Sequence, residues 1–167
     1  MTLSMYQASV PTFIRFLGNL SAILKKGEAH ATAKKIDPSV FINARLAPDM
    51  FPLSRQVQIA TDIAKGCAAR LGGIAVPTFP DTEATFAELQ ERIAKTVSFL
   101  KTVTPAQVDG SETREIVLKV GGRDLNFKGQ DYLLSFASPN VYFHITAAYA
   151  ILRHNGVELG KGDFLGG

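Results

Sequence analysis

Cysteine is almost missing from this 167-residue chain: Cys67 stands alone, so no intramolecular disulfide can form and no pair of thiols has metal-ligand spacing. A reducing, cytoplasmic setting is the expectation that follows. Long apolar runs are missing too. Nothing approaches the ~20 apolar residues that a membrane span requires, and the opening Met-Thr-Leu-Ser-Met-Tyr-Gln lacks a basic region followed by an apolar one. The expected protein is soluble and unexported, with no membrane partner. Charge of one sign is not in excess either. Lys and Arg number 18 against 15 Asp and Glu, for a net +3, and they are scattered rather than blocked. No electrostatic footprint for nucleic acid is present. No Ser-His-Asp order or nucleophile elbow appears, and Gly121-Gly122 is not followed by a helix start with Lys-Ser/Thr, which excludes a phosphate loop. No internal repeat is visible. The length suits one domain, 1–167, able to bury a core without metal or disulfide support.

Apolar periodicity is what the chain does have. Tyr6, Val10, Phe13, Leu17, Leu20 and Leu24 recur at spacings of four and three, which predicts a first helix over about 3–33, with Pro11 as a kink or early turn. Asp37 before Pro38 reads as the cap of a short helix running through Phe41 and Ile42 toward Leu46. Leu53, Val57, Ala60, Ala64, Ala68 and Leu71 predict a second long helix over about 52–72, ended by Gly72-Gly73 and lined with alanine for close approach of a neighbour. Phe86, Leu89, Ile93, Val97 and Leu100 predict a third over about 84–103. Its cap is Thr85, which has capping-box spacing to Glu88, or else Thr82 or Asp81. The period then changes. Ile116, Leu118 and Val120, Gly121-Gly122, then Leu125 and Phe127 predict a β-hairpin over about 114–128, which needs packing on the helices to be stable. A last helix over about 130–154 is apolar round much of its circumference and is expected to be central, with Pro139 kinking it and freeing a carbonyl. The fold class is all-α, a four-helix bundle with a small β-hairpin before the last helix. A loosely tied glycine-rich tail is expected, pinned by Leu159, Phe164 and Leu165.

Asn140 and His144 stand one turn apart on the apolar face of that last helix. Polar groups on a core-facing stripe have to be hydrogen-bonded or bound to something, so they mark a site or the remains of one. The other chemistry-bearing residues are less placed for it. His30 lies among lysines, and His154 sits about 15 Å further along the helix axis than His144, too far to share its contacts. Asp62 is a carboxylate without an evident partner, and Cys67 reads as a small core residue.

The helices with a hairpin before the last, and a last helix running from His144 through Ala-Ile-Leu-Arg153 to Gly156, resemble the DinB/YfiT-like helical bundles. From Ser4-Met5-Tyr6-Gln7 through Ala44-Arg45-Leu46-Ala47-Pro48-Asp49-Met50 to His144, the chain is similar over nearly its full length to an uncharacterised bacterial branch of that superfamily. In the wider superfamily, three histidines on two helices bind a divalent metal, some members are thiol-dependent transferases or hydrolases, and many form dimers. Carried over, the metal positions fall on Gln56, Asn140 and His144, and Ile145-Thr146-Ala147 replaces the usual Arg-Gly-Gln. Amides are poor ligands for zinc or nickel, so a competent metal site is not expected; any ion would be a weakly held divalent one at His144. The trio can instead be a buried polar network or a small-molecule pocket. Two functions follow: a homodimeric bundle that binds a small ligand at the level of Gln56, Asn140 and His144 without metal or other cofactor, or an enzyme of transferase or hydrolase type using His144.

Overall fold

The computed structural model describes residues 3–167. Four long helices dominate it: α1 (Met5–Lys34), α3 (Leu53–Gly72), α4 (Phe86–Thr102) and α7 (Ser138–His154). Between them run α2 (Pro38–Ile42), α5 (Pro105–Val108), the strands β1 (Glu115–Val120) and β2 (Arg123–Lys128), and α6 (Gly129–Asp131); α8 (Lys161–Leu165) follows the last long helix. The chain is thus mostly helical with a two-stranded antiparallel hairpin before the last helices, and short helices outnumber what periodicity alone predicts. Among the described residues no helix is long and apolar enough to cross a membrane.

Local chemistry sets the helix ends. Ser4 and Gln7 form a reciprocal capping box, with the Gln7 amide donating to Ser4 Oγ and Ser4 N–H to Gln7 Oε1, each at 3.2 Å. The helix then continues through Pro11, which neither starts nor ends it. Proline's missing donor is partly replaced at the Gln7 carbonyl by the Thr12 hydroxyl, 3.4 Å away. Asp37 caps α2 by accepting from Ser39 N–H at 2.9 Å, and α2 stops at Ile42, short of Leu46. Thr85, rather than Thr82 or Asp81, caps α4 and pairs reciprocally with Glu88. Gly73 closes α3 in the left-handed conformation at φ 64°.

The long helices pack α1 on α4, α4 on α3, α3 on α7 and α7 on α1. Val10, Phe13, Leu17, Leu20 and Leu24 of α1, Leu89 and Leu100 of α4, and Ile145, Ile151 and Leu152 of α7 are all fully buried between them. Ala60, Ala64 and Ala68 on α3 and Ala148 on α7 have no exposed surface, and this small-residue seam lets the two helices carrying the candidate site approach closely. Ile116 and Leu118 of β1 seat the hairpin on the core. Gly121 and Gly122 both take positive φ, 56° and 78°, as a two-residue type I′ turn requires.

One feature of the last helical run is invisible to a 3.6-residue period. Tyr132–Ala137 is a π-helical turn leading directly into α7, with Ser138 N–H donating to the Leu133 carbonyl five residues back. Where the run begins, Gly129 lies against the Ser111 backbone, and a Cβ there would overlap the Ser111 carbonyl oxygen. Ser111 is itself wholly buried, and its hydroxyl has no partner among the described residues. The tail is better tied than its glycines imply. Arg15 and Asn19 donate to the carbonyls of Leu165 and Phe164, Phe164 packs on Phe16, and Lys26 pairs with Asp163 at 2.6 Å.

Candidate functional site

Gln56 on α3 and His144 on α7 meet across the alanine seam. His144 Nδ1 lies 2.7 Å from Gln56 Oε1, and Gln56 Nε2 donates to the Phe51 carbonyl at 3.0 Å. A carbonyl can only accept, so the amide has one orientation and presents its oxygen to the imidazole. His144 Nδ1 therefore carries the ring proton and donates it. Burial, with a smaller contribution from the nearby Arg55 charge, holds the His144 pKa below its ordinary 6.5, so the ring is neutral at neutral pH.

Asn140 does not join them. Its Nδ2 donates to the Phe136 carbonyl at 2.7 Å, one turn back in the same helical run, and the residue is only half-buried. The expected trio is thus a pair plus a locally satisfied amide. The other histidines stay apart: His30 sets its ring edge against Phe41, and His154 is exposed in the last turn of α7.

These donors do not fit a divalent transition metal. One imidazole, one amide oxygen already hydrogen-bonded to that imidazole and one amide turned away do not make three ligands. Among the described residues, no group of three His, Cys, Asp or Glu side chains is placed to hold an ion. Cys67 is buried on α3, and burial pushes its thiol far above the usual range, which removes the thiolate that a nucleophile needs.

Two exposed aromatic residues adjoin the pair, Phe143 through its ring and Phe51 through its backbone carbonyl. Phe143 stands edge-on to the His144 ring at 5.2 Å and is 58% exposed, and Phe51 is 54% exposed with the Arg55 guanidinium over its face at 5.9 Å. Beyond Phe143 lies a groove of about 370 Å³ lined by Leu46, Met50, Tyr142, Ala147 and Ala150.

Arg55 also joins the pair to an ion network that sequence reasoning missed. It pairs with Asp81, on the segment between α3 and α4, and donates to Gln58 Oε1. Asp81 in turn is ion-paired with Arg92, 2.9 Å away. Arg92, 1% exposed, also reaches Asp62 at 2.7 Å, Glu83 at 3.0 Å, the Thr61 hydroxyl at 2.8 Å and the Pro80 carbonyl at 3.0 Å. Lys65 completes the group, paired with Asp62 and 5.0 Å from the Phe79 ring. Asp62 is therefore no isolated carboxylate. The available signal was Arg92's spacing: three residues after Leu89 and four before Thr96, it lies on the edge of the stripe. Arg92's pKa stands above its ordinary value, because the Glu83 hydrogen bond and the charges of Asp62, Glu83 and Asp81 outweigh the opposing effect of burial.

Comparison with known proteins agrees with this architecture. No curated protein matches the chain. Among solved structures, a DinB family member from Shewanella denitrificans is 46% identical, with a TM-score of 0.90, over 97% of this chain and 92% of that one. A family model described as a domain of unknown function, DUF1993, matches residues 5–165. The chain therefore belongs to the DUF1993 family, a DinB-like branch of helical proteins.

Proposed function

We propose that this protein binds a small molecule at the Gln56–His144 pair and holds no resident metal there. The single observation that supports this most is the 2.7 Å hydrogen bond between the two side chains, whose fixed direction leaves His144 Nε2 as an unprotonated acceptor without a partner among the described residues. In this reading the four long helices form one DinB-type bundle domain, the family's metal position has become an organic-ligand position, and the protein works in the cytoplasm as a homodimer, without nucleic acid or membrane partners.

Metal analysis of protein purified without chelator, repeated on His144→Ala, tests the reading. Neither preparation should contain a stoichiometric ion, and EDTA should leave the melting temperature unchanged. One equivalent of zinc or nickel that disappears with His144 would overturn it and revive the metal-dependent transferase or hydrolase.

A second reading shares the same geometry. A neutral imidazole whose Nδ1–H is held by an amide oxygen has the arrangement of a general base, with Nε2 free to take a proton. Catalysis by such a base would show as a rate that rises with pH through the His144 pKa and is lost in His144→Gln.

A further inference from the structure

The hairpin has two open edges. β1 and β2 form a two-stranded sheet, so each strand is paired on one side only, and among the described elements no other helix or strand runs along β1. The turn decides which backbone groups that edge offers. A two-residue type I′ turn at Gly121-Gly122 makes Val120 and Arg123 a hydrogen-bonded pair, and such pairs alternate down the ladder: Leu118 with Leu125, then Ile116 with Phe127. The residues between them, Glu115, Val117 and Lys119, therefore turn their N–H and C=O groups outward. None of the three makes another backbone hydrogen bond among the described residues.

Natural sheets blunt such an edge with a proline, a bulge or lysine charge. β1 has no proline and no bulge, its register with β2 being continuous from Glu115 to Val120. It does have Lys119, but Glu115 stands on the same face, with the exposed Val117 midway between them. That order is its own complement. When two copies of β1 lie antiparallel with Val117 opposite Val117, Glu115 of each copy stands opposite Lys119 of the other, and the outward-pointing backbone groups are the ones that meet. Sliding one strand by two residues, the smallest step that keeps those groups paired, sets Val117 against a charge and carries the other charge beyond the partner strand. The free edge of β2 has a similar order in Asp124, Asn126 and Lys128, but its centre is an amide. Val117 is 54% exposed, so pairing through β1 removes a β-branched apolar side chain from water as well.

We infer that two copies of this chain join antiparallel through the β1 edge, centred on Val117, into a four-stranded sheet in the order β2, β1, β1, β2. This names the interface of the homodimer in the reading above and rests on that part of it. A six-residue strand buries less surface than a permanent complex does, so the dimer is a weak one that forms with concentration.

Sedimentation equilibrium on the full chain tests it. The wild type should shift from monomer to dimer as concentration rises. Glu115→Lys and Lys119→Glu should each associate about tenfold more weakly, because each sets like charges together twice across the two-fold axis. An equimolar mixture of the two variants should recover wild-type association, since the lysines of one then meet the glutamates of the other. Val117→Cys, gently oxidised, should give a disulfide-linked dimer, as residues directly opposed in a hydrogen-bonded pair lie about 5.5 Å apart at Cα. Asn126→Cys should not, and the buried Cys67 takes no part. The cysteine variants leave the charges in place, so they decide the matter even where a reversed charge opens the hairpin. A monomer at every concentration, with no cross-link, would overturn the edge and the homodimer together. A dimer that ignores both charge reversals and fails to cross-link in Val117→Cys, or that cross-links in Asn126→Cys instead, would overturn the edge and leave a homodimer built elsewhere.

Discussion

His144 and Gln56 form a closed two-body arrangement, and removing one member leaves the other stranded. His144→Leu should cost about 1–3 kcal/mol in denaturant unfolding, because Gln56 Oε1 stays in the seam without a donor. The double variant Gln56→Leu/His144→Leu should recover much of that loss, since it removes both polar partners. Acid should expose the same residue. His144 is held below 6.5 in the folded state and returns to 6.5 in the unfolded one, so between 6.5 and its lowered value the unfolded chain binds more protons. Stability should be unaffected by His144 above pH 6.5 and should fall as pH drops through that window. His144→Gln should lose that segment of the pH profile. His144 was legible in the sequence because an imidazole interrupts an apolar stripe, and Gln56 because the family resemblance points to it. Asn140 was misread as their companion. A side-chain amide next to a proline and a π turn finds a carbonyl in its own helical run, and spacing alone does not show that competition.

At the level of elements, the segment between α3 and α4 is where sequence reading was thinnest. Its two prolines, Pro77 and Pro80, suit a loop, yet Pro80, Asp81 and Glu83 fasten it to Arg92 across the helix pair. Patterns along a chain report burial by period. They do not report that a charged residue on α4 will be enclosed by carboxylates from α3 and from a loop, since that depends on three separate segments arriving together. Arg92→Met should therefore act on the loop first. The expected cost is about 3 kcal/mol, the low end for a broken buried ion pair because Asp62 and Asp81 are partly exposed and can rehydrate. Limited proteolysis should then cut between residues 73 and 85, a segment expected to resist cleavage in the wild type. An unchanged cleavage pattern would mean that Phe79 and the prolines hold the segment without the ions. The hairpin, by contrast, was fully legible: alternation, a Gly-Gly turn and a second alternation leave few other readings.

For the whole molecule, one buried thiol reports on everything around it. Cys67 sits in α3 with no exposed surface and a thiol that does not ionise at neutral pH. Its reaction with a disulfide reagent should be negligible in the native state and should proceed at the global unfolding rate, because α3 touches α1, α4 and α7 and cannot open alone. Labelling much faster than unfolding would reveal a local opening of the helix that carries Gln56. The long helices were readable because their stripes, caps and glycine stops agree with one another. The tail was not, since its anchors, Arg15, Asn19 and Lys26, lie far back on α1 and look like ordinary surface residues.

Ser111 carries a last consequence. Its hydroxyl lies in the interior with no partner among the described residues, held there because its backbone carries the turn against Gly129. The chain thus tolerates a mismatch that it could shed with one atom. Ser111→Ala should raise the unfolding free energy by about 1 kcal/mol or more, read as a higher denaturant midpoint at unchanged slope. The natural sequence, in other words, has headroom: its fold is adequate for its task and stops short of the most durable version its own backbone would allow.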